Sequence, residues 1–167
     1  MELQATPYTQ RIVLSDGGVY DNLGLEAGWD SDKTLLVSDA GGKTAPEPRP
    51  TSFWPMQLLR VLHVVDNQVR SLRKRWLIER FEDKVHEGAF WGIRTKIDNY
   101  ELDNALPCPY EHTLKLAGTK TRLKKMKPLL QEKLINWGYA VSDAALRRHY
   151  RKSFRPPKGF PYPDSAV

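Results

Sequence analysis

The order of apolar and polar residues along this chain predicts alternating strands and helices. Arg11-Ile12-Val13-Leu14-Ser15 is a short apolar run with β-branched residues, the pattern of a buried strand. Lys33-Thr34-Leu35-Leu36-Val37-Ser38-Asp39 predicts a second strand. Each run breaks the same way, at Ser15-Asp16-Gly17-Gly18 and at Ser38-Asp39-Ala40-Gly41-Gly42. Two such strands fit as parallel neighbours ending at one sheet edge. From Phe53 to Phe81, Leu58, Leu62, Val65, Val69, Leu72 and Trp76 recur at spacings of three and four, so a long helix should lay this stripe on the sheet. Pro55 suits its first turn.

Residues 87–97 predict another strand, with Gly88 and Gly92 marking a bend or a close contact, and residues 98–112 a loop. Helix resumes at Thr113, with Lys120, Lys124 and Lys127 on one face and Leu116, Leu123 and Met126 on another. Pro128 opens a helix carrying Leu130, Leu134 and Trp137. Gly138 ends it or permits close packing, and Ser142 or Asp143 caps a following one. The fold class is therefore α/β, with one domain over residues 1–150. A Pro-rich tail over 151–167 is expected to be loosely ordered.

Composition narrows this picture only a little. The chain of 167 residues suits one domain or a large part of one. It has no apolar run near the roughly 20 residues of a membrane span, and its first residues lack a signal-peptide pattern. The single cysteine, Cys108, excludes an internal disulfide and has no metal-ligand cluster around it. A cytoplasmic location is the default. The net charge of +6 is unevenly placed: residues 1–50 hold four Lys/Arg against eight Asp/Glu, and all the excess cations follow. Arg70, Arg73, Lys74 and Arg75 concentrate them on the long helix. They suit an anionic partner, a membrane surface or nucleic acid, or else form a solvated face. A nucleic-acid partner is the less favoured class, because no nucleic-acid motif is present.

The candidate chemistry lies at Asp16. A carboxylate fixed where a strand breaks into a turn can accept a proton or orient a nucleophile. In an isolated Asp-Gly-Gly it can equally do no more than cap the turn. Gly17 and Gly18 shape the break, and Asn22 either caps the following helical turn or helps to hold the loop. Asp39 rivals Asp16 on position alone.

The longer run Leu-Ser-Asp-Gly-Gly-Val-Tyr-Asp-Asn-Leu-Gly-Leu-Glu, residues 14–26, resembles the Asp-Gly-Gly segment of the patatin-like phospholipase family. Residues 60–70, 88–93 and 134–140 are more loosely similar to the region that follows it in bacterial-type members. The resemblance implies that Asp16 is the acidic half of a Ser-Asp dyad that hydrolyses lipid esters, without metal or cofactor. It also implies a three-layer sheet with flanking helices. Such a dyad needs a serine within Gly-x-Ser-x-Gly, and none of the eight serines has those flanking glycines. The expected reading is therefore the C-terminal portion of such a domain, lacking the N-terminal nucleophile-elbow half and inactive alone. Its partners would be a lipid ester, an anionic membrane surface to which it is peripheral, and the missing half itself. The alternative is a basic binding module for anionic membrane or nucleic acid, without catalysis.

Overall fold

A computed structural model describes residues 4–6, 9–12, 14–42, 44–120, 122 and 124–167. Val13 and Leu123, which figure in the expectations above, lie outside the described residues. Two strands are present among the described residues, β1 (Thr34–Asp39) and β2 (Glu87–Gly92). They pair in parallel, from Thr34 opposite Glu87 to Asp39 opposite Gly92. The crossover between them carries α3 (Trp54–Glu82), completing a βαβ unit. The architecture is thus α/β at the level of a two-stranded parallel sheet with helices around it.

Gly88 makes the strand pairing possible. Its φ is +145°, and a Cβ there would come within 1.9 Å of the Leu35 carbonyl oxygen, so the close contact expected at this glycine is present. β2 stops at Gly92 because the chain turns there: the Gly92 amide donates to Thr95 Oγ1 and the Thr95 amide to the Gly92 carbonyl.

The described residues of the first expected strand form no strand. Residues 14–16 are irregular, Ile12 is 72% and Leu14 86% exposed, and β1 pairs with β2 instead. A strand exists only where a neighbour takes up its amides and carbonyls, and no described segment does so here. The run leads directly into two single-turn helices, α1 (Gly18–Asp21) and α2 (Glu26–Trp29).

α3 forms over the expected span, with Pro55 in its first turn, but its stripe does not pack on the sheet. Leu58, Leu62, Val65, Val69, Leu72 and Trp76 all stay exposed, and Leu77 alone in the helix is buried. Leu77 joins Leu25, Leu35 and Val37 in a small core, flanked by Leu23, Trp29, Phe81 and Phe90. Among the described residues, no helix is long and apolar enough to cross a membrane.

The larger core lies in the second half of the chain. A 3-10 turn (Ile97–Tyr100) and α4 (Tyr110–Ala117) occupy part of the region expected to be loop. α4 ends at Gly118, whose amide bonds back to Leu114 and Lys115. Lys120, Lys124 and Lys127 lie beyond that end, so they do not share a helical face. α5 (Pro128–Ala145) runs through Gly138 without a break and continues into a π turn, Leu146–Tyr150. No cap at Ser142 or Asp143 is needed, since a single glycine in a packed helix costs only about 1 kcal/mol. Trp137, Ala140, Val141, Ala144 and Ala145 of α5 are buried against Ala89, Ile97, Tyr100 and Leu116. Trp137 Nε1 donates to the Ile93 carbonyl at 2.9 Å and so ties α5 to the end of β2.

The tail over 151–167 has no regular element, yet it is docked. Asn136, fully buried on α5, donates through Nδ2 to the carbonyls of Tyr162 (2.8 Å) and Ser165 (2.7 Å). Its Oδ1 accepts the Tyr162 amide (3.0 Å). Ser165 and Val167 are buried. The prolines prevent helix and strand, and side-chain bonds from α5 take the place of a backbone ladder.

Candidate active site

Asp16 sits in the turn that opens α1. Its Oδ1 accepts the Gly18 amide at 2.7 Å, and its carbonyl accepts the Val19 amide at 3.0 Å. The side chain therefore performs the capping role that an Asp-Gly-Gly turn requires. Its Oδ2 takes no hydrogen bond among the described residues, and the residue is exposed. One oxygen orients the carboxylate, and the other faces outward as an acceptor.

Gly17 and Gly18 contribute compactness. Gly17 has a φ of −59°, and Gly18 is helical; the left-handed position in this loop is Gly24, at φ +64°. A Cβ on Gly18 would stand 3.0 Å from Asn22 Oδ1 and 3.1 Å from Asp16 Oδ1. Gly18 thus lets the carboxylate and the Asn22 amide close over one point of backbone. The structure brings Asp16, Gly18 and Asn22 together.

Asn22 does not cap the next helical turn. That task falls to Asp21, whose Oδ2 accepts the Glu26 amide at 2.9 Å. Asp21 also receives a hydrogen-bonded ion pair from Arg73 of α3, and Arg73 reaches Glu26 at 3.3 Å. Burial alone would raise the Asp21 carboxyl. The Glu26 amide and the Arg73 guanidinium outweigh it and hold the carboxyl below its ordinary value. Glu26 in turn raises the neighbouring Tyr20 phenol, mainly by hydrogen bonding. The Asp21–Arg73 pair anchors the Asp16 loop to the long helix. Sequence reasoning missed it because the partners are 52 residues apart and carry no local signature.

The four cations expected to share one anionic-surface role are divided by their surroundings. Arg73 is committed to Asp21 and Glu26. Arg70 donates to the Gly42 carbonyl at 2.7 Å and stands about equally far from Asp39 (4.0 Å) and Asp66 (3.9 Å). Lys74 lies over the Phe90 ring at 5.5 Å. Arg75 is exposed.

Asp39 repeats the Asp16 turn on a formed strand, with Oδ1 accepting the Gly41 amide at 2.8 Å. Unlike Asp16, it lines a cleft of about 510 Å³ at the carboxyl ends of β1 and β2. Its carboxylate faces Arg70, the arrangement of an ion pair rather than of a proton acceptor. No described serine hydroxyl hydrogen-bonds to either aspartate; Ser31, Ser71 and Ser142 each donate to a backbone carbonyl one turn back. Cys108 is buried between its prolines, and burial pushes its thiol up to about 12, which leaves it protonated and unreactive at neutral pH.

No family model, curated protein or solved structure matches this chain.

Proposed function

We propose that this chain is the aspartate-bearing portion of a patatin-like lipid acyl hydrolase, with the nucleophilic serine supplied by sequence outside these 167 residues. The observation that carries the reading is the run from Leu14 to Glu26, together with the geometry of its aspartate. Asp16 is held by one oxygen on the Gly18 amide and presents the other. In a dyad the serine hydroxyl attacks the acyl carbonyl while its proton passes to that second oxygen. The proton then goes to the leaving alcohol as the acyl–serine ester forms. Water hydrolyses the ester by the same route in reverse, with Asp16 accepting its proton and returning one to serine.

The two-stranded parallel sheet supports the finer reading, a portion of a three-layer sheet. Parallel strands are ordinarily covered on both faces, yet Leu36 of β1 is 52% exposed and the α3 stripe is bare. These are the apolar surfaces that further strands and helices of a larger domain would cover. The enzyme so completed would work on lipid esters from the cytoplasm, peripheral to an anionic membrane, with Arg75 on the exposed side of α3.

Hydrolysis of phospholipid and of 4-nitrophenyl acyl esters tests the reading. The chain alone is expected to show none. Joined to a segment bearing Gly-x-Ser-x-Gly it should hydrolyse them, and Asp16→Asn should lower that rate by about a thousandfold or more. Hydrolysis indifferent to Asp16→Asn would remove the aspartate from the mechanism.

A further inference from the structure

The cleft at the carboxyl ends of β1 and β2 is not used by the chemistry assigned to Asp16. Ligands of open α/β sheets collect at this edge, and about 510 Å³ lies within the range of small-molecule sites. Among the described residues three cations line it, Arg70, Lys74 and Arg94, against a single carboxylate, Asp39. Arg70 is held by Gly42, Asp39 and Asp66, which fixes its guanidinium and uses much of its charge locally. Gly41 makes room for it: a Cβ there would stand 1.7 Å from Arg70 Nη1.

The other two cations are less committed. Lys74 has no carboxylate within ion-pair distance among the described residues, and its ammonium rests over Phe90. Arg94 donates from Nη2 to the Ala117 carbonyl at 3.2 Å, while its Nε is buried with no hydrogen-bond partner among the described residues. Among the described residues the guanidinium has a protein partner only at Nη2, so it keeps donor capacity for an anion in the cleft. The described lining carries a net charge of +2, three cations less one carboxylate, which matches a phosphomonoester at neutral pH. Guanidinium forks suit phosphate oxygens. Phe90, Ile93 and Leu114 give the organic part of such a ligand an apolar wall.

We infer that this cleft binds the phosphate group of an organic phosphate through Lys74, Arg94 and Arg70. The phosphate is that of a soluble ester or of a lipid head group. The site does not rest on the role of Asp16, which is not among the residues that line it.

Calorimetric titration of the whole chain with inorganic phosphate and with glycerol 3-phosphate tests the soluble source. Cosedimentation with phosphatidylcholine vesicles, with and without phosphatidic acid, tests the lipid source. Binding in either arm should weaken about tenfold in Lys74→Gln and in Arg94→Gln and stay unchanged in Lys158→Gln, an exposed cation that does not line the cleft. In the soluble arm, glycerol 3-phosphate should bind more tightly than inorganic phosphate. Circular dichroism checks folding; should Arg94→Gln fail to fold, the exposed Lys74 decides the matter alone. Absence of binding in both arms overturns the site. So does binding that Lys74→Gln leaves intact, or that Lys158→Gln weakens equally, since either places the anion on a diffuse basic surface.

Discussion

Asp16 and Asp39 each fix one carboxylate oxygen on an amide two residues ahead, and what surrounds the second oxygen separates them. Asp39 faces Arg70, whereas Asp16 faces outward. The turn chemistry of both was legible in the sequence, because aspartate beside glycine forms this bond wherever the chain bends. The anchoring of the Asp16 loop was not, because Asp21 and Arg73 meet only in three dimensions. That pair has a measurable consequence. The folded Asp21 carboxyl sits below its unfolded value of about 3.9. Its contribution to stability is therefore complete above that pH and is lost as pH falls through the folded value. Asp21→Asn should cost about 1–3 kcal/mol in urea unfolding at pH 7. The difference from wild type should shrink towards pH 3, and one that does not vary with pH would contradict the ion pair. At Gly138 the expectation of a helix end gives way to an exposed mid-helix glycine whose added Cβ would meet nothing within 4 Å. Gly138→Ala should therefore raise stability by about 0.4–1 kcal/mol, measured as a higher thermal midpoint; a lower one would mean that hydrogen in place of methyl matters there.

At the scale of elements, β1, β2, α3 and α5 follow the periodicities of their own residues, and their bounds depart from expectation where a turn or cap intervenes. Thr95 turns the chain after β2, and Gly118 closes α4 before the lysines that seemed to extend it. The run from Arg11 has the composition of a strand, and its described residues form none, because composition supplies no neighbour to pair with. The same limit hid the docking of the tail. Its prolines exclude regular structure, but Asn136 lies far away in sequence and satisfies tail carbonyls and an amide from inside α5. Asn136→Ala should release residues 160–167 and cost about 2–3 kcal/mol, the loss of several buried hydrogen bonds. Limited trypsin digestion should then cut after Lys158, beside the released segment, much faster than in wild type, and unchanged cleavage would mean that packing of Val167 holds the tail without Asn136.

For the whole molecule, two cores of unequal size meet at β2. The larger gathers α4, α5, the 3-10 turn and the tail, and the smaller holds four buried residues beneath α2, β1 and α3. Apolar surface is left bare on the α3 stripe and on Leu36, which lies on the face of β1 opposite the buried Leu35 and Val37. The α/β class was legible in the alternation of strand and helix patterns. That α3 would remain uncovered was not, since an amphipathic pattern states which face seeks cover without stating what provides it. Both the bare surfaces and the outward carboxylate of Asp16 bear on the proposal above, in which Asp16 serves a catalytic unit larger than these 167 residues. The most direct measurement is the mass and sequence of the native polypeptide in its source cells, followed by ester hydrolysis with and without Asp16→Asn. The account predicts a mass well above 19.2 kDa, a Gly-x-Ser-x-Gly segment before Asp16, and activity abolished by the substitution. A native polypeptide without such a serine, or hydrolysis undiminished in Asp16→Asn, would contradict it.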